Sequence, residues 1–236
     1  MSVQIEFTAD GSHTLVNSEL DESYHVFKGA LTESVYVYID AGLLSLHSRL
    51  PESSQIRILE VGFGTGLNVL LTAQKAKAAG LNVSLTTLEP FPIGSEIVAQ
   101  LNYAECLAKR GDYGSRDELT ACLAALHQAP WDATTEVAGL ELTKIRGKLE
   151  QQSFAEGSFN LVYFDAFAPR KQPELWAGEH FQRLYRYLAE QGLLVSYCSN
   201  GQFKRDLKAA GFGVEAYPGP MGRRHMTRAW KGFNFK

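Results

Sequence analysis

The spacing of apolar positions changes along the chain, and that change predicts its elements. From residue 56 onward, short apolar runs alternate with longer amphipathic ones. "IRILEVG" (56–62) reads as a strand entering a glycine turn, and "LNVLLTAQKAKAAG" (67–80) as a helix closed by a C-cap glycine. "NVSLTTLEP" (82–90) is a second strand, "IGSEIVAQLNYAECLAKRG" (93–111) a second helix, and "SRDELTACLAALHQ" (115–128) a third. Beyond these, "GLELTKIRG", "FNLVYFDAF" and "LLVSYCS" read as strands, with "EHFQRLYRYLAEQG" (179–192) as a helix before the last of them. "GQFKRDLKAAG" adds a helix. "FGVEAYPG" and "MTRAWKG" then predict a closing antiparallel hairpin. Strands alternating with helices imply an α/β, Rossmann-like, mostly parallel sheet covered on both faces.

The first residues follow a different rhythm. "VQIEFTADGSHTLVN" holds two short strand-like runs around Asp10-Gly11, a hairpin signal. Residues 35–48, "VYVYIDAGLLSLHS", pass from strand-like to helical character at a boundary the pattern leaves open. The expected organisation is a small β-rich extension over 1–45 and a Rossmann-like domain over 46–236.

Composition alters this picture little. A chain of 236 residues, 45% hydrophobic and 21% charged, is ordinary for a globular domain with a sizeable core. Its three cysteines, Cys106, Cys122 and Cys198, have neither disulfide-framework nor zinc-site spacing, so no metal is expected. No basic n-region precedes an apolar core at the N-terminus, and no apolar run approaches a membrane span, so the expected compartment is the cytoplasm. Charge is more informative. From Gly201 onward, eight Lys/Arg face only Asp206 and Glu215, a balance of +6 against −9 for the rest of the chain. A basic C-terminal sixth on an acidic body is a candidate phosphate-binding face.

Two acids frame the glycine turn. Gly62, Gly64 and Gly66 sit between the first sheet strand and its helix, where backbone without Cβ atoms lets a ligand approach a helix N-terminus. The G-x-G-x-x-G dinucleotide spacing is not met, because Leu67 stands at its last position. Glu60, just before the turn, would repel a pyrophosphate and suits a cationic or zwitterionic ligand. Glu89 ends the second strand, where an acid accepts hydrogen bonds from ribose hydroxyls. Together they suit S-adenosylmethionine, its ribose at Glu89 and its amino acid moiety near Glu60.

A third acid raises a separate question. In "NLVYFDAFAPRKQPELW" (160–176) an apolar strand runs into Asp165, on the sheet edge that carries the glycine turn. A carboxylate there can accept an amine's N–H, aim its lone pair at a methyl donor and balance the charge developing on nitrogen. Phe167 and Trp176 can stack on a base, and Arg170 and Lys171 can neutralise phosphates.

"DAFAPRKQPELW" also resembles the signature of the methyltransferase domain of the MnmC family. That domain converts 5-aminomethyl-2-thiouridine in tRNA to its 5-methylaminomethyl form with S-adenosylmethionine. "TADGSHTLVNSELDESYHVFKGALTESVYVYIDAGL", "ILEVGFGTGLN" and "AAGFGVEAYPGPMGRRHM" resemble further segments of the family, so the resemblance spans nearly the whole chain. It implies Asp165 as the catalytic carboxylate, and Glu60, Gly62, Gly64, Asn68 and Glu89 around the cofactor. It also implies Tyr24 and His25 closing the site, with Lys171, Arg205, Arg223 and Arg224 facing the anticodon region of a tRNA. Lys148 and His225 depart from acids of the family pattern. No second glycine fingerprint is present, so a stand-alone methyltransferase without the flavin-dependent half is expected. The competing readings are a small-molecule amine methyltransferase, an aminopropyltransferase, and a non-catalytic RNA-binding protein on the same fold.

Overall fold

The computed structural model describes residues 3–51, 54–222 and 224–233. Strands β1 (Val3–Phe7), β2 (His13–Asn17) and β3 (Glu22–Ser23) form a small antiparallel sheet. A helical run follows through α1 (Ala30–Ser34), a π-helical segment (Val35–Leu44) and α2 (Ser45–His47). Then come β4 (Ile56–Val61), α3 (Leu67–Ala79), β5 (Val83–Leu88), α4 (Ser95–Val98), α5 (Tyr103–Arg110) and α6 (Arg116–Gln128). β6 (Ala133–Val137), β7 (Leu140–Ile145), β8 (Phe159–Phe164), α7 (Gly178–Tyr187), β9 (Leu188–Ser196), α8 (Gly201–Ala209), β10 (Gly213–Tyr217) and β11 (Met226–Trp230) complete the chain.

The large sheet has the order β10-β11-β9-β8-β4-β5-β7-β6. Strands β7, β5, β4, β8 and β9 run parallel, while β6 and the β10–β11 hairpin add antiparallel edges. Alternation along each strand feeds two cores. Leu161 and Tyr163 of β8 join the helical run 30–47 and α3 on one face, whereas Val162 and Phe164 join α7 and α8 on the other. Among the described residues, no helix is long and apolar enough to cross a membrane.

Several elements depart from the pattern reading. Residues 35–44, where Tyr36 and Tyr38 mimic strand alternation, are helical with π-type bonding, since Ser45 N donates to Asp40 O five residues back. The single helix expected over 93–111 is two short ones. Asn102 breaks it by turning to the N-terminal hairpin: its Nδ2 donates to Gly11 O at 2.8 Å and its Oδ1 accepts from His13 N at 2.8 Å. The helix expected to reach residue 192 ends at Tyr187, because Leu188 already pairs with Phe159 and the chain bulges before Leu193 meets Leu161. Strand β6, too polar to stand out, pairs along the edge of β7.

Candidate active site

A cleft opens at the C-terminal ends of β4, β5 and β8. Strand order reverses here, with β5 on one side of β4 and β8 on the other, and open α/β sheets bind ligands at such points.

The glycine turn forms one wall. Gly62, Gly64 and Gly66 all have positive φ, at 97°, 52° and 75°. Gly62 is the position no other residue can hold, since a Cβ there would run into the Asp165 carbonyl oxygen. The turn is stitched to both neighbouring strand ends: Gly62 N donates to Leu88 O, and Asp165 N to Val61 O, each at 3.0 Å. Glu89 binds the turn from its far side. Its Oε2 accepts from Gly64 N (3.0 Å) and its Oε1 from Phe91 N (2.9 Å), and burial raises its pKa. Each oxygen keeps a second lone pair for a ligand hydroxyl.

Support for this wall comes from a distance. His127, at the end of α6, makes a 3.0 Å hydrogen bond through Nε2 to Thr65 O, and burial lowers its pKa to about 4, so the ring is neutral. Lys144 holds that helix end, donating from Nζ to the carbonyls of Leu126 (3.0 Å), His127 (2.8 Å) and Ala129 (2.9 Å). Burial brings the Lys144 ammonium down to about 8. Sequence reasoning missed both residues, because neither is near the turn in the chain.

The opposite wall carries Asp165. Its Oδ2 accepts from Asn68 Nδ2 at 2.8 Å. Burial lifts its pKa to about 6, a rise tempered by the Tyr38 hydroxyl and the Asn68 amide. Tyr24 packs over Gly64 and meets Phe167 edge-on, with ring centroids 5.0 Å apart, so the N-terminal unit and the loop after β8 close the cleft together. Two ion pairs reinforce that closure, Arg170–Glu22 at 3.5 Å and Lys171–Asp21 at 3.3 Å.

Of the residues singled out from sequence, Tyr24, His25, Gly62, Gly64, Asn68, Glu89, Asp165 and Phe167 line the cleft. Others do not. Glu60 is 0% exposed, and strand alternation turns it onto the α3 face with Ile56 and Ile58. There its Oε2 accepts from Thr87 Oγ1 at 2.6 Å, and burial pushes its pKa to about 8. Gly66 caps α3 behind the turn. Trp176 is no stacking platform. At 7% exposure it packs against Phe164 and Phe203, and its Nε1 donates to Phe167 O at 2.8 Å, which fixes the Phe167 backbone. Lys171 is engaged by Asp21 rather than lining the cleft. Arg205 and Arg224 are exposed on the surface, and Arg223 lies outside the described residues. Lys148 does line the cleft, beside Leu149 and Glu150. So does Phe91, 53% exposed and unremarked in the sequence because it follows a proline in a loop.

Residues 117–232 match the model of a family of S-adenosyl-L-methionine-dependent methyltransferases. The chain is 31% identical over 207 residues to the tRNA 5-methylaminomethyl-2-thiouridine biosynthesis bifunctional protein MnmC of Pseudomonas fluorescens (strain Pf0-1), covering 84% of this chain and 30% of that protein. The protein of the same name from Pseudoalteromonas atlantica is 28% identical over 233 residues, covering 95% of this chain and 33% of its own. The chain thus spans about a third of the length of these relatives. Among solved structures, MNMC2 from Aquifex aeolicus superposes with a TM-score of 0.77 at 25% identity, over 99% of this chain and 71% of that one.

Proposed function

We propose that this chain, which belongs to the S-adenosyl-L-methionine-dependent methyltransferases, methylates the primary amine of 5-aminomethyl-2-thiouridine at the wobble position of tRNA. The carrying observation is that Asp165, an ionisable carboxylate, shares one cleft with the glycine turn and Glu89. The residues fit the cofactor. Glu89 has acceptor sites left for the ribose, the turn presents bare backbone, and Leu88, Phe91 and Leu149 offer apolar surface for adenine. When bound, S-adenosylmethionine supplies an electrophilic methyl group on a sulfonium.

The rest is work for the chain's own residues. A primary amine reaches the cleft as an ammonium and needs a free lone pair to react. Asp165 attracts that ammonium, accepts one N–H and takes up the released proton, while the Asn68 bond to Oδ2 fixes the carboxylate's orientation. Tyr24 and Phe167 offer aromatic surface to the uracil ring. Arg205, Arg224 and Arg223 remain candidates for the phosphates of the anticodon region, with Lys171 available only if it leaves Asp21.

The test is methylation of tRNA that carries the unmethylated aminomethyl group, read as a one-methyl mass gain on uridine after digestion to nucleosides. Asp165→Ala should lower turnover by about 10²–10⁴-fold and leave cofactor affinity largely intact; undiminished turnover would remove Asp165 from its role. Because the carboxylate must be ionised and its pKa lies at about 6, kcat/KM should fall as pH drops below that value.

A further inference from the structure

Three buried side-chain atoms without a hydrogen-bond partner gather near Asp165: the Tyr38 hydroxyl, Glu60 Oε1 and Asn68 Oδ1. Tyr38 is the least expected of them. It is 1% exposed, lies on the π-helical segment Val35–Leu44, and packs its ring 5.2 Å from that of Tyr163, two residues before Asp165. Widened helical turns of this kind cost backbone energy and recur at functional sites. An ordinary core position would be served by phenylalanine, because a buried hydroxyl with no partner is unfavourable.

We infer that Tyr38 is a positioning residue for Asp165. Its hydroxyl lies against the carboxylate and closes to a full hydrogen bond when Asp165 is ionised in the working site. Asp165 would then be gripped from two elements, by the Asn68 amide from α3 and by the Tyr38 phenol from the π-helical segment, with one face left to the amine. This inference rests on the amine-methylating reading of the cleft.

The surrounding charges support this assignment. Asp165 is faced by Glu60 from β4, by Tyr197 beyond β9, by Tyr38 and by Asn68, and no cation is among the groups that set its pKa. Tyr38 itself is faced by Asp165, Glu33 and Tyr197, and burial holds its phenol well above the usual tyrosine range. The phenol therefore stays protonated as a donor, and donors alone hold the carboxylate ionised against burial.

The experiment titrates Asp165 directly, by NMR of protein labelled with ¹³C at aspartate Cγ, using Asp165→Asn to identify its signal. In Tyr38→Phe, the midpoint should rise by half a pH unit or more, with cofactor affinity unchanged. Replacing Tyr38 with 3-fluorotyrosine, a stronger donor of nearly the same shape, should lower it. Opposed shifts separate a donor from a merely structural ring, which would move neither. An unmoved midpoint in Tyr38→Phe overturns the proposal whatever substrate the cleft takes. Opposed shifts in a protein inactive on the uridine would support the Tyr38 assignment and fault the substrate instead. In the active enzyme, the acid limb of kcat/KM should move with the NMR midpoint.

Discussion

The two walls of the cleft are built by different means. The glycine turn is a backbone structure: three positive-φ residues, amide bonds to both neighbouring strands, and Glu89 accepting from its Gly64 amide. The Asp165 wall is a side-chain structure, assembled from β8, α3, the π-helical segment and the N-terminal hairpin, and tied by Asn68, the Tyr24–Phe167 contact and two surface ion pairs. The first is rigid because local conformation dictates it. The second depends on contacts between segments as far apart as residues 21 and 171, so single substitutions there should be felt in substrate handling before they are felt in folding.

The sharpest way to break the contrast is Gly62→Ala. It places a Cβ against the Asp165 carbonyl at a φ of 97°, so both walls should suffer at once. We expect a loss of about 3 kcal/mol or more in stability, with cofactor binding abolished, as measured by denaturant unfolding and calorimetry. A protein of wild-type stability would mean the turn is looser than described.

Glu60 tests the foundation of the backbone wall. Its folded pKa, about 8, lies above the ordinary carboxylate value, so between roughly pH 4.5 and 8 the native state binds the extra proton. Stability should therefore fall with rising pH through that window, by up to about 1.4 kcal/mol per unit from this group. Glu60→Gln keeps the hydrogen bond to Thr87 and removes the titration, so its thermal midpoint should exceed that of the wild type increasingly toward pH 9. Parallel midpoint curves would show that Glu60 titrates normally.

The smallest expected effect belongs to the side-chain wall. A double-mutant cycle on Tyr24→Leu and Phe167→Leu should give a coupling of about 0.5–1.5 kcal/mol, the usual range for an edge-to-face pair. It should appear in KM for the proposed tRNA substrate and leave cofactor affinity alone. Coupling found instead in cofactor affinity would mean that the two walls act as one.

Much of this site was legible in the sequence, and the failures are instructive. Asp165 and Glu89 were recognisable because each ends an apolar run beside a turn signal, and the glycine spacing marked the turn itself. Glu60 was misplaced because nearness to that turn in sequence conceals strand parity, which sends it beneath α3. Trp176 has the sequence context of a platform beside Asp165, yet it packs in the core and holds Phe167 by its indole N–H.

The sequence by itself determined what is local: strand and helix periods, the backbone freedom of Gly62, and acids at strand ends, since each follows from a few adjacent residues. The tertiary structure alone decided which groups meet. His127 reaches Thr65 across 62 residues and Asn68 reaches Asp165 across 97. The π-helical segment that sets Tyr38 against Tyr163, two residues before that carboxylate, is in one dimension a run that passes from strand-like to helical at no fixed boundary. Those meetings depend on how the sheet and helices pack, and no short window of sequence encodes that packing.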